Sequence, residues 1–142
     1  MKGKHMTHAD TARELYRAFG HRKFDEIVAV LTEDVEWGEP ANPYNPTGGT
    51  RYGHAGFLEW LKIGNEAEDI LVLEPRTFIA EGDYVAVVGY LECMAKATGR
   101  TYASDFVHVL TFREDKICRF RSTPSNLQAQ RNRSRHSDAR HQ

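Results

Sequence analysis

From Ile70 to Arg121 the dominant apolar period of this chain is two, and three short clusters interrupt it: Glu81-Gly82-Asp83, Thr98-Gly99-Arg100 and Arg113-Glu114-Asp115. That pattern specifies strands joined as hairpins, near 70–80, 83–95, 100–112 and 116–123. Before Ile70 the period is helical. Ala12, Leu15 and Phe19 share one face of a first helix, which Thr7 or Thr11 can cap; Thr11 and Glu14 have capping-box spacing. Gly20 ends it. A second helix is expected from about Phe24 to Leu31, and a third from about His54 to Ile63 with Phe57, Trp60 and Leu61 inward. Val35-Glu36-Trp37 reads as a short strand, and Pro40, Pro43, Pro46 and Gly48-Gly49 as an irregular loop. Helices followed by consecutive hairpins predict an α+β domain, with three helices on one face of a curved antiparallel sheet.

The strand centred on Val87 is apolar on both faces. Val85, Val87 and Leu91 alternate with Ala86, Val88 and Tyr90, and the next strand adds Val107 and Val109 to the second set. Three helices cover one side only, so a homodimer packed sheet to sheet is expected. The run Tyr84 to Leu91 is too short to cross a bilayer, and no membrane role is expected. Cys93 and Cys118 have neither metal-ligand nor disulfide-scaffold spacing, which points to a reducing cytoplasm. Residues 1–6 lack an apolar signal core and read as a frayed end or a vector remnant, with the domain spanning 7–128. Net charge is −1, yet residues 131–142 hold four Arg against one Asp. Residues 129–142 thus form a basic tail expected to be disordered, while the acidic body lacks the basic stripe that nucleic-acid binding needs.

Chemistry concentrates on one strand. Tyr102, Ser104, Phe106, His108, Leu110 and Phe112 share a face, so a side chain that ionises near neutrality stands in an otherwise apolar row. His108 is either a core histidine bonded to a neighbour or a pocket residue. Trp37, Tyr44, Phe57, Trp60, Phe78, Phe106 and Phe120 lie on elements able to line a cavity. Alternation groups Cys118, Phe120 and Ser122 on the side of His108. Such walls suit a flat, largely apolar ligand with one or two oxygens. No cofactor or metal is expected: Gly48-Gly49 lacks a P-loop Lys, His5, His8 and His21 lie on or near a frayed end, and His54 stands alone.

Taken in order, LYRAF at 15–19, FDEIVAVLTEDVEW at 24–37, the Pro-rich loop, FIAEGDYV at 78–85 and DFVHVLTFREDKICRFR at 105–121 resemble the SnoaL-like branch of the nuclear transport factor 2-like superfamily. The resemblance covers about residues 9–128. It implies a cone-shaped sheet with the helices on its concave face, a pocket between them, and frequent dimerisation. It does not imply one activity, because the superfamily holds cyclases, isomerases, dehydratases, epoxide hydrolases and noncatalytic binding modules.

Against the ketosteroid isomerase pattern, the general-base position falls on Glu39, followed by Pro40, and one oxyanion donor falls on His108. The other donor, a tyrosine, falls on Leu15, which cannot donate; Tyr16, Tyr44 and Tyr90 are the candidates to replace it. Steroid isomerisation is therefore not expected, since losing one such donor costs about 10²–10³ in rate. Glu39 is either an exposed loop carboxylate or a pocket base. The cyclase-type acid at the end of the last strand is missing, for Arg121 to Asn126 contains no carboxylate. Asp105, the candidate for epoxide chemistry, points away from His108 by alternation. Two functions stay open: proton transfer on an apolar carbonyl compound, with His108 as acid or oxyanion donor and Glu39 as base, or a noncatalytic ligand-binding or dimerisation module.

Overall fold

The computed structural model of the protein describes residues 6–123. Of the expected N-terminal segment 1–6 only Met6 is described; the expected tail at 129–142 and the expected domain end at 128 lie outside the described residues. In chain order the elements are α1 (His8–Gly20), α2 (Phe24–Ala29), β1 (Leu31–Glu39), β2 (Gly49–Tyr52), α3 (Gly53–Ala67), β3 (Glu68–Glu81), β4 (Tyr84–Ala95), β5 (Thr101–Arg113) and β6 (Lys116–Ser122).

The helix cap belongs to Thr7 rather than Thr11. The Asp10 N–H donates to Thr7 Oγ1 and the Thr7 N–H to Asp10 Oδ2, both at 3.0 Å, a capping box one turn earlier than expected. His8 opens α1 and is packed rather than frayed. Its ring stacks on Phe112 at 4.1 Å, with nitrogens 3.3 Å from the Gly82 carbonyl and 2.8 Å from that of Glu114. The start of α1 is thus tied to two of the three hairpin turns. Helix α2 stops before Leu31 because that residue is taken into β1, in register with Ile117. Strand β2 was not anticipated: four residues with no apolar alternation pair with β1, matching Trp37 to Arg51 and Glu39 to Gly49. Helix α3 extends four residues beyond its expected end.

The six strands form one curved sheet in the order β2-β1-β6-β5-β4-β3. All pairings are antiparallel except β1 with β6, which are parallel. The α+β class with three helices on a curved sheet holds, and the sheet is mixed by that one pair. Helix α1 packs on β3 and β4, and α3 on β1, β2 and β3. Between helices and sheet lies the core, where Ala12, Ile27, Leu31, Val35, Phe57, Val85, Val87, Leu110 and Ile117 are almost wholly buried. Among the described residues no helix is long and apolar enough to cross a membrane.

Candidate functional site

Tyr16 and His108 meet inside this core. The capping box sets the phase of α1 so that Ala12, Leu15 and Tyr16 all face the sheet. From the middle of β5, His108 stands opposite Val87 on β4 and Ser122 on β6. The Tyr16 hydroxyl lies 2.5 Å from His108 Nδ1. The imidazole is held between Phe106, stacked at 4.2 Å, and Phe120, tilted at 4.8 Å. Tyr16 in turn lies parallel to Phe106 at 6.2 Å and edge-on to Phe78 at 6.0 Å. Phe106 occupies its place because its partner on β4 is Gly89, where any side chain would overlap the Phe106 ring and the Glu74 carbonyl.

Burial decides the charge of both groups. The residue His108 keeps some exposed surface, but its ring is sunk deeply enough that desolvation lowers its pKa from 6.5 to about 3. The same cause raises the Tyr16 phenol well above its ordinary value. At neutral pH both are uncharged, so one proton lies between them. Phenol is the better donor and imidazole nitrogen the better acceptor, which assigns the Tyr16 O–H as donor to Nδ1 and places the ring proton of His108 on Nε2. Nε2 has no hydrogen-bond partner among the described residues. The pair therefore presents a neutral N–H donor, not a cationic acid.

Glu39 belongs to a different network. The Trp60 indole donates to its Oε2 at 2.7 Å, and Thr47 Oγ1 and Asn45 Nδ2 donate to Oε1 at 2.7 and 3.1 Å. Both oxygens are occupied, so the carboxylate fastens the Pro-rich loop to α3 and is not presented as a free base. Above it, Trp37, Phe57 and Trp60 pack together, with Trp37 stacked on Phe120 at 4.0 Å. Phe120 thus joins this aromatic group to the one around His108.

Three predicted site residues fall elsewhere. Tyr90 is on the outer face, donating to Glu92 Oε2 at 2.6 Å beneath the Arg76 guanidinium, because β4 alternation sets it opposite to Val87. Tyr44 sits in the Pro-rich loop, its backbone N–H on Asn42 Oδ1 at 2.8 Å. Cys118 falls at a register shift between β5 and β6, where Ile117 takes the inward place opposite Phe112. Ser122 does flank His108, with its hydroxyl 3.4 Å from the Thr123 carbonyl. A depression of about 470 Å³ is lined by Met6, Thr7, His8, Glu114 and Asp115, none of them a predicted pocket residue. Asp105 is exposed and faces outward, as alternation required.

A family profile described as a SnoaL-like domain matches residues 12–120. The chain belongs to the SnoaL-like family. Solved structures agree with that placement. A nuclear transport factor 2-like protein from Burkholderia xenovorans LB400 is 29% identical with a TM-score of 0.80, over 94% of this chain and 100% of the other. A second, from Burkholderia pseudomallei K96243, is 28% identical with a TM-score of 0.82, over 92% and 100%. TerC, co-crystallised with polyporic acid, is 32% identical with a TM-score of 0.75, over 89% of this chain and 98% of TerC. No curated protein matches the chain. Of the residues the sequence singled out, His108, Phe106, Phe120, Tyr16 and Phe78 come together in this SnoaL-like domain. Sequence reading named Tyr16 as a candidate donor but did not pair it with His108, because that bond joins a helix and a strand 92 positions apart.

Proposed function

We propose that this SnoaL-like domain is a cytoplasmic, cofactor-independent catalyst of proton transfer on a hydrophobic small molecule carrying a carbonyl group, in the manner of an isomerase, cyclase or dehydratase. The observation that carries the reading is the Tyr16–His108 pair. Its neutral Nε2–H donor lies in an aromatic surround, where hydrogen bonds to developing oxyanion charge are strongest. A neutral imidazole kept neutral by its surroundings is a known way to polarise a carbonyl. Tyr16 cannot easily surrender its own proton, since burial disfavours its anion too. The pair accordingly stabilises negative charge by hydrogen bonding and keeps its protons. Glu39 acts as base only if it exchanges one of its three donors for the substrate. That occupancy favours the second reading, a noncatalytic binding module.

The similarity to TerC makes polyporic acid the first probe. Wild type should bind it, and His108→Ala and Tyr16→Phe should each weaken binding about tenfold, roughly the value of one hydrogen bond at a dry site. If wild type converts it, His108→Ala should slow conversion by about 10²–10³. Equal binding by all three proteins would defeat the role of the pair; binding without conversion would favour the binding module.

The same proposal includes a homodimer formed through the outer sheet face. Ile79 and Val88 are 56% and 37% exposed there, with Ala86, Val107 and Val109 between and beside them. Arg119 and Arg121 flank this strip on β6, while Asp105 and Glu92 lie toward its other end. Two copies can meet on the strip with opposite charges facing.

A further inference from the structure

Trp37 carries a buried donor with nothing to donate to. The residue is 3% exposed, and its Nε1–H has no hydrogen-bond partner among the described residues. The contrast within the cluster is direct, because the neighbouring indole of Trp60 is satisfied by Glu39 at 2.7 Å. Buried N–H groups are almost always paired, so an orphan in a packed interior marks an acceptor that the described residues do not supply. His108 Nε2 also has no hydrogen-bond partner among the described residues, on a side chain that keeps some exposed surface. Phe120 connects the two, stacked on Trp37 at 4.0 Å and packed against His108 at 4.8 Å. The register explains why: Trp37 on β1 is the direct partner of Phe120 on β6, and His108 pairs with Ser122 two residues further along the same strand.

We infer that the Trp37 indole N–H is a second ligand-binding donor, taking one acceptor oxygen of the molecule whose other oxygen His108 binds. The inference rests on the proposed function and narrows its substrate class. The ligand carries two oxygens separated across an aromatic body that lies along Phe120, as in a quinone or a hydroxylated aryl ketone. A compound with its one oxygen on His108 would leave the Trp37 N–H buried and unpaired, which is how a dry site rejects close analogues. Trp37 is in this account a specificity-determining residue, and Phe57 and Trp60 keep its ring in place.

The test uses polyporic acid with the full chain. Replacing Trp37 by benzothienylalanine exchanges the N–H for sulfur while keeping the ring size, and should weaken binding about tenfold. In parallel, the indole N–H proton of Trp37, assigned by its loss in Trp37→Phe, should move downfield when polyporic acid is added to wild type. That second measurement needs no variant to bind. Unchanged affinity in the sulfur isostere with an unmoved N–H resonance would overturn the inference. So would contact of that N–H with a long-lived water in the liganded protein. If His108→Ala weakens binding while the isostere does not, the proposed function stands and the role of Trp37 falls. If the isostere and the resonance respond while His108→Ala has no effect, Trp37 binds the ligand and the role of His108 falls. Failure of wild type to bind polyporic acid at all would overturn both.

Discussion

The burial that makes His108 a weak base also makes it a dependable donor. A ring with a pKa of about 3 does not acquire a positive charge in the physiological range, so its Nε2 proton is available as a neutral donor at every working pH. There is a thermodynamic consequence. Well above pH 6.5, neither the folded nor the unfolded chain protonates this imidazole, and it adds no pH dependence. Between 6.5 and about 3 the unfolded chain binds a proton that the folded one refuses, so stability falls as pH falls. The loss from this residue is at most about 1.4 kcal/mol per pH unit. Urea unfolding of wild type and His108→Gln between pH 7 and 4 measures it. The variant should lose less stability on acidification; parallel curves would show that the ring is not desolvated as described. Glu39 illustrates what one residue's sequence context conceals. Its position before Pro40 was legible, but the three donors that occupy it come from Asn45, Thr47 and Trp60, the last 21 positions away.

Among the elements, β4 governs the site most strongly although it contributes no donor. Gly89 leaves the space in which the Phe106 ring lies, and Phe106 in turn supports the face of His108. Gly89→Ala should therefore destabilise the fold by about 1–3 kcal/mol through overpacking and should also shift the His108 ring resonances. Urea unfolding and imidazole NMR check the two effects; a variant as stable as wild type with unmoved resonances would contradict this packing. The hairpins were readable because each turn is written locally: Gly82, for instance, has the positive φ of 58° that Glu81-Gly82-Asp83 suggested. The pairing of β1 with β6 was not readable, because it joins residues about 80 positions apart and runs parallel without any crossover signal nearby. Strand β2 and the place of Cys118 were missed for related reasons. One is too short to show a period, and at the other a register shift breaks the alternation on which the expectation relied.

At the scale of the whole molecule, one sheet face is covered by helices and the other is not, among the described residues. The exposed edge strand β3 is blunted by Pro75 and by register shifts at Leu71 and at Arg76, which discourages edge-to-edge association. Face-to-face pairing is the proposed alternative, and sedimentation tests it. Wild type should be a dimer at tens of micromolar (roughly the range in which a weak obligate pair persists), and Val88→Arg should be a monomer with its fold intact. A monomeric wild type would contradict the proposal. The two-sided apolar pattern of β4 made this face visible in sequence, while the interior donors were not: which of two tryptophans and which tyrosine acquire partners depends on how distant strands and helices meet. The central claim is that Tyr16 holds a neutral His108 with its proton on Nε2. Nitrogen NMR of the labelled imidazole, followed from pH 8 to pH 4, reads this directly. The account predicts an unprotonated Nδ1 and a protonated Nε2 throughout, both unchanged across the range. A ring that titrates near its ordinary value, or carries its proton on Nδ1, would contradict it.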